Sequence, residues 1–289
     1  MSDEYNVKIV RFKDKVEIIK YGEMKKRISP TVPKFESLRK KSREELERQA
    51  MQQAYRVKQK IRYYILSNDF NLFFTLTFDD SKVDATNYQE GRKAVVAWLK
   101  YQRERYGRFG YIFVPELHKS GRIHFHGVTQ GYEPTLSEAR HPKSKRLIKK
   151  NGKQIYNTDN WQKGFSTVSK ISDESKTASY ITKYLTKELI QRAPHEPAYL
   201  VSKGLNKPEI EYRVMEDSEL ESFSPSLVSG DLSEYTDEFQ DNVSIYNLEV
   251  KNGEYSQANP PETLYKINKQ KIANSRIRAL SVDDQTTKE

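Results

Sequence analysis

Two of the five histidines in the chain stand two residues apart, as His124-Phe125-His126. In an extended strand, residues i and i+2 point to one face, so both imidazoles are presented side by side as neutral nitrogen ligands. The preceding run YIFVPELH (111–118), the turn Lys119-Ser120-Gly121 and the run RIHFHGVTQ (122–130) together predict a hairpin. A three-residue turn sets Glu116 opposite His124 and adds a carboxylate to the pair. Two imidazoles and one oxygen, with positions left open, suit Mn²⁺ by ligand type and Mg²⁺ more weakly, and leave room for a phosphate oxygen. His118 shares the strand parity of Glu116 and is the alternative third ligand, whereas His141 and His195 stand apart from the pattern. The plain alternative is a pair of histidines on a solvated strand face.

The second group is Tyr180-Ile181-Thr182-Lys183-Tyr184-Leu185-Thr186-Lys187. Positions four apart are neighbours on a helix, so both phenols can address one point, and each is followed three residues later by a lysine, Lys183 or Lys187. With 19 tyrosines in the chain the spacing carries little by itself. It also fits rings packed at the border of the apolar stripe Ala178, Ile181, Leu185 and Leu189.

The conjunction is more specific than either group. A phenol has a pKa of about 10, so about one in a thousand is ionised at neutral pH, and its attack needs an activated nucleophile or a polarised target. A histidine-held divalent ion polarises a phosphoryl oxygen, and lysines add positive charge at the same place. Tyrosine, metal and a basic surface together describe a site that cuts and rejoins DNA phosphodiesters.

The elements that must position these residues follow from the surrounding sequence. LFFTLTF (72–78) is aromatic and β-branched and predicts a buried strand ending at the turn Asp79-Asp80. A helix is expected through Tyr88, Val95, Trp98 and Leu99, closed near Gly107. WQKGFSTVSKI (161–171) predicts another strand, and a helix opened by Ser172 or Asp173 runs through 175–192. Upstream, Ser42 and Glu45 form a capping box before the stripe Leu46, Ala50, Ala54, Val57, Ile61 and Ile65. That amphipathic helix has a basic far end at Arg56, Lys58, Lys60 and Arg62. The first segment, around Lys13-Asp14-Lys15, predicts a hairpin.

Charge separates along the chain. Residues 1–200 hold 40 basic and 23 acidic residues, whereas 201–250 hold 3 and 12. Such a basic surplus is the electrostatic footprint of a nucleic-acid partner. Residues 140–153 carry seven basic and no acidic residues around Asn151-Gly152, which predicts a basic β-ribbon. Its Arg146, Lys149, Lys150 and Lys153, with Lys187, are the candidate DNA contacts. The chain has no cysteine, which excludes disulfides, thiolate metal sites and a cysteine nucleophile and suits a reducing cytoplasm. No run approaches roughly 18 apolar residues, and MSDEYNVKIV lacks a leader's hydrophobic stretch, so neither a membrane span nor export is expected.

The segments FFTLTFDD, PELHKSGRIHFHG and YITKYLTK, in that order, resemble the three motifs of the HUH rolling-circle replication initiators, above all those of single-stranded DNA phages and related plasmids. The likeness spans about 70–190, and YLVSKGLNKPE (199–209) also resembles a segment of such proteins. The resemblance implies metal ligation by His124, His126 and Glu116, with Mg²⁺ or Mn²⁺ as cofactor. It also implies catalysis by Tyr180 and Tyr184 with Lys183 between them. One tyrosine would attack an origin phosphate, form a 5′-phosphotyrosine and free a 3′-hydroxyl for a host polymerase, and the other would serve the terminating transfer. The implied partner is single-stranded origin DNA in a bacterial host's cytoplasm. No G-x-x-x-x-G-K-[ST] occurs, so a host helicase is the expected source of strand separation.

The expected fold is α+β, a central antiparallel sheet flanked by helices, as in the ferredoxin- or RRM-like HUH endonucleases. The expected organisation is an N-terminal hairpin segment at 1–35, the basic amphipathic helix at 36–66, the endonuclease domain at 67–200 and an acidic, partly flexible region at 201–289. A mobile-element nickase using the same site, or a non-enzymatic nucleic-acid binder, are the alternative functions.

Overall fold

The computed structural model describes residues 3–27, 42–141, 143–150, 152–185, 197–232, 239–257 and 259–267. In chain order the elements are strands β1 (Glu4–Arg11) and β2 (Lys15–Lys26), helix α1 (Arg43–Leu66), β3 (Leu72–Leu76), helix α2 (Tyr88–Tyr106), β4 (Gly110–Leu117) and β5 (Ile123–Gln130). There follow the short strands β6 (Leu136–Glu138), β7 (Lys149–Lys150), β8 (Lys153–Gln154) and β9 (Tyr156–Thr158), then β10 (Ser166–Lys170) and helix α3 (Glu174–Thr182). The last strands are β11 (Leu200–Val201), β12 (Glu209–Arg213), β13 (Leu227–Leu232), β14 (Phe239–Lys251), β15 (Glu254–Ser256) and β16 (Leu264–Ile267). The protein is α+β and divides into two compact units, Ser37–Lys207 and Met1–Glu36 with Pro208–Glu289. Among the described residues, no helix is long and apolar enough to cross a membrane.

In the larger unit the sheet runs β11-β4-β5-β3-β10-β9-β6, antiparallel throughout. Strand alternation divides its side chains between two faces. On one, Phe74 meets Trp98 of α2 at 6.1 Å and Phe113 at 6.1 Å between ring centroids. Phe74, Phe113, Phe125 and Tyr132 are fully buried, and each such side chain contributes about 1.5–3 kcal/mol by leaving water. On the other face Phe73 meets Tyr180 of α3, and α3 in turn packs with α1. The residues that could do chemistry lie on this second face.

The helix signals hold. Ser42 and Glu45 form both halves of the capping box of α1. Asn87 caps α2, which closes at Gly107 in the left-handed region, φ 82°. Leu46, assigned to the stripe of α1, is instead exposed, while Tyr63 and Tyr64 are buried. Only Ser166–Lys170 of the expected strand at 161–171 pairs; before it the chain turns, with Trp161 donating from Nε1 to the Thr77 carbonyl at 2.9 Å. The helix expected through 192 ends at Thr182, and its continuation over 186–196, with Lys187 and Leu189, lies outside the described residues.

The smaller unit revises the reading of the C-terminal region. The N-terminal hairpin forms, but its strands are the middle of a sheet ordered β12-β1-β2-β14-β13-β16, with β15 on β14. Val7, Ile9, Val16 and Ile18 pack with Met215, Leu220 and Leu248. The described parts of 209–267 are therefore largely strand rather than loosely ordered. Their acidic side chains stand on exposed positions and pair across the sheet, as Glu211 does with Arg11 at 3.1 Å. A composition average over that stretch conceals the alternating apolar residues that bind it to the hairpin.

Candidate active site

The β4–β5 register is the one the sequence implies, with Glu116 opposite His124 and Val114 opposite His126. The turn between them is fastened by Arg122, whose guanidinium pairs with Asp80 and donates to the Phe78 carbonyl at 3.0 Å. Asp79 accepts from the backbone and hydroxyl of Ser81. The two aspartates thus act at the strand end as turn-forming groups.

Glu116 is the centre of the imidazole cluster. Its Oε2 lies 2.7 Å from His126 Nε2 and 3.6 Å from His118 Nε2, and the His118 and His124 rings lie 4.3 Å apart. Burial and the neighbouring His118 lower the His124 pKa to about 4, so at neutral pH its ring is an uncharged donor. Burial also lowers His126, against the pull of Glu116. With His126 neutral and Glu116 ionised, the ring proton sits on Nε2, and Nδ1 accepts from Thr75 Oγ1 at 3.1 Å.

One ligand atom each from Glu116, His118 and His124 lie within 4.8 Å of one another. Ligands held at about 2.2 Å from a common ion lie no more than about 4.4 Å apart, so small side-chain rotations close this set. Oxygen and neutral imidazole donors suit a divalent cation. The grouping differs from the expected one, because both nitrogens of His126 are engaged while His118, held by the turn, faces Glu116. Strand parity was the signal that marked His118.

Both tyrosines converge on this cluster. Asp173 caps α3 by accepting from the Lys176 backbone at 2.9 Å, and Ala178, Ile181 and Leu185 are buried beneath the helix. Tyr180 is in the last turn and Tyr184 just beyond the end of α3. The Tyr184 ring stacks on His126 with centroids 3.8 Å apart and planes 10° apart, and Tyr180 meets Tyr184 edge-on at 5.3 Å. Burial, then a hydrogen bond shared with Tyr180, pushes the Tyr184 phenol well up.

The basic ribbon forms as β7 and β8, and one of its residues enters the site. Lys150 Nζ donates to the Tyr180 hydroxyl at 3.4 Å and stands 5.0 Å from the centre of that ring. Lys183 lies over the same ring at 5.8 Å. Lys153 donates to Ser172 Oγ at 2.6 Å instead, next to the cap of α3. Arg146 and Lys149 are exposed on the ribbon, available to solvent or a ligand. Nothing in the sequence tied Lys150 to a tyrosine thirty residues later; only its basic ribbon was legible.

Residues 71–189 match a family of replication-associated proteins, the ORF2 family, consistent with a rolling-circle replication initiator. The matched segment carries the imidazole cluster, the ribbon and both tyrosines. Comparison with curated proteins and with solved structures gave no match.

Proposed function

We propose, from a replication-associated match that encloses this site, that the protein nicks and rejoins single-stranded DNA to start and finish rolling-circle replication. The observation that supports the reading most is the convergence of two phenols, three imidazoles, one carboxylate and one lysine on a single sheet face. A packing role for the tyrosines accounts for their rings but not for an ammonium at the Tyr180 hydroxyl.

In this reading Tyr180 is the initiating nucleophile. Its hydroxyl faces Lys150, whose charge stabilises negative charge on the phenol oxygen and on the phosphoryl group it attacks. Tyr184 holds its proton more firmly, stacked and buried against His126, and serves the later transfer. Attack forms a bond from the phenol oxygen to phosphorus and breaks the bond from phosphorus to the 3′ oxygen. The product is a 5′-phosphotyrosine and a free 3′-hydroxyl, and the proton lost by the phenol balances the one gained by the leaving oxygen. One phosphodiester replaces another, so no nucleotide hydrolysis is required.

Glu116 and His124, with His126 or His118, would hold a Mg²⁺ or Mn²⁺ ion, which supplies Lewis-acid polarisation of the phosphoryl oxygen when bound. The chain's own contribution is to keep the imidazoles neutral and oriented, through Thr75 on one side and Glu116 on the other. Single-stranded origin DNA is the proposed substrate. A host polymerase is the proposed user of the 3′-hydroxyl, with a host helicase opening the duplex. Arg146, Lys149 and Lys153 are proposed to contact the strand's phosphates.

The test is incubation of the protein with Mn²⁺ and a labelled, randomised pool of single-stranded oligonucleotides, followed by denaturing electrophoresis and mass spectrometry. A covalent adduct is expected for the native chain and none for the Tyr180→Phe, Tyr184→Phe double variant. Undiminished adduct in the double variant removes both tyrosines from the chemistry.

A further inference from the structure

At the other end of the β4–β5 hairpin lies a second basic feature that the cleavage site does not use. A cleft of about 1090 Å³ opens where α2, the start of β4, the end of β5 and the segment after β11 meet, all within the larger unit. Four cations from three separate stretches of chain line it, Lys100 and Arg103 of α2, Arg108 of the following loop and Lys203. Two carboxylates, Asp69 and Glu104, accompany them, and Glu104 lies 4.0 Å from Lys100. Cations therefore outnumber carboxylates by two to one around the opening.

The walls are fixed in place. Asn68 accepts from the Asn206 backbone at 3.0 Å and donates to its carbonyl at 2.9 Å, while the Tyr111 backbone donates to Ser202 Oγ at 3.0 Å. These bonds pin the segment that bears Lys203, which turns through Gly204 in the left-handed region, φ 87°. The Arg103 guanidinium lies 5.9 Å from the Tyr111 ring centre. Two buried polar atoms on the cleft's residues, Gln130 Oε1 and Arg103 Nε, have no hydrogen-bond partner among the described residues. Buried polar atoms are ordinarily satisfied, so their presence beside a cationic opening marks a place where a ligand completes the bonding.

Gly110 pairs with Gln130 at this end of the hairpin and Glu116 pairs with His124 at the other. Six residue pairs at about 3.4 Å each separate the two ends by roughly 20 Å. Resting on the reading of the site as a DNA nickase, we infer that this cleft is a second DNA-contact site. It takes backbone phosphates of the strand that flanks the cut, at least about six nucleotide steps from it at about 3.4 Å per step. Lys100, Arg108 and Lys203 supply the phosphate contacts, and Arg103, held over Tyr111, presents a fixed guanidinium between them.

The test uses the full chain and the triple variant Lys100→Ala, Arg108→Ala, Lys203→Ala, three exposed side chains whose loss leaves the core intact. Anisotropy titrations at several salt concentrations compare a short oligonucleotide, with flanks under about six nucleotides, and one with long flanks. For the native chain the long strand binds more tightly, by tenfold or more, and with a steeper salt slope. In the variant the slope for the long strand falls by about 2, as loss of three single-strand phosphate contacts requires, and the short strand is unaffected. Equal affinity and slope for native and variant proteins overturns the proposal. So does displacement of the long strand by micromolar nucleoside triphosphate, which marks the cleft as a mononucleotide pocket. Length-dependent binding without any covalent adduct leaves this site standing and removes the nickase reading instead.

Discussion

The Lys150 ammonium stands 3.4 Å from the Tyr180 hydroxyl, brought there by a two-stranded ribbon thirty residues earlier in the chain. Tyr184, four residues beyond Tyr180, has no such neighbour among the described residues and instead lies flat on His126. The two phenols are therefore unequal before any DNA arrives. A charge-assisted hydrogen bond is worth about 1.5–3 kcal/mol, or roughly 10- to 100-fold in rate. Lys150→Ala is expected to slow adduct formation at Tyr180 by that range and to shift the recovered phosphotyrosine toward Tyr184, with Lys150→Arg partly restoring the native ratio. Peptide mapping of the adduct reads the ratio directly, and an unchanged ratio in Lys150→Ala separates the lysine from nucleophile choice.

Glu116 makes a different kind of prediction, because one of its oxygens faces two imidazoles. Glu116→Gln keeps the size of the side chain and removes its charge. Calorimetric titration of the variant with Mn²⁺ is expected to show affinity lowered by roughly tenfold or more, and a chelator is expected to stop adduct formation by the native chain. Native Mn²⁺ affinity in the variant takes Glu116 out of the ligand set.

Much of this site was legible because strand and helix periods are local. The turn Lys119-Ser120-Gly121 fixed the register, and register placed Glu116 opposite His124. Which imidazoles would group was not legible, since it depends on Thr75 occupying His126 Nδ1 from a strand fifty residues away. The approach of Lys150 to Tyr180 is likewise a product of packing between elements that share no sequence pattern. The C-terminal region misled because its acidic residues dominate the average while Val228 and Leu248 are buried in a sheet. Pairing with an N-terminal hairpin more than two hundred residues away leaves no local trace.

Tyr132 gives a pH-dependent outcome. It is fully buried, donates to Gln102 Oε1 at 3.0 Å, and burial raises its pKa well above the ordinary phenol value. The folded state thus keeps a proton that the unfolded chain releases above about pH 10. Stability from this group is whole below that pH and falls as pH rises toward the folded value. Tyr132→Phe is expected to cost about 1 kcal/mol at pH 7, because Gln102 keeps its bond from Asn160. The gap between native and variant urea midpoints should then narrow above about pH 10. A gap that stays constant to about pH 11 denies the buried phenol any part in alkaline unfolding.

Asp173 tests whether the tyrosines depend on the start of their helix. With nine residues, α3 has few internal hydrogen bonds, so its cap carries a large share of its local stability. Asp173→Ala is expected to lower stability by about 1 kcal/mol, and Asp173→Asn by only a few tenths, since the amide oxygen still accepts from the Lys176 backbone. Adduct formation should follow the same order. Equal losses in the two variants assign the effect to charge beside Lys176 instead of to the cap.

Gly127 follows the second histidine because Phe113 needs its space. The two residues pair across β4 and β5, and the Phe113 ring lies where a Cβ at 127 would be. That ring is fully buried between Phe74 and Trp98 and has little room to retreat. Gly127→Ala is expected to destabilise the larger unit by about 1–3 kcal/mol through overpacking. Combining it with Phe113→Leu, which frees volume at the same point, should cost less than the sum of the two single changes. Thermal unfolding of the four proteins measures that coupling. Simple additivity places the strain outside the Phe113 contact, and the strand bearing both histidines then owes its placement to something other than this close approach.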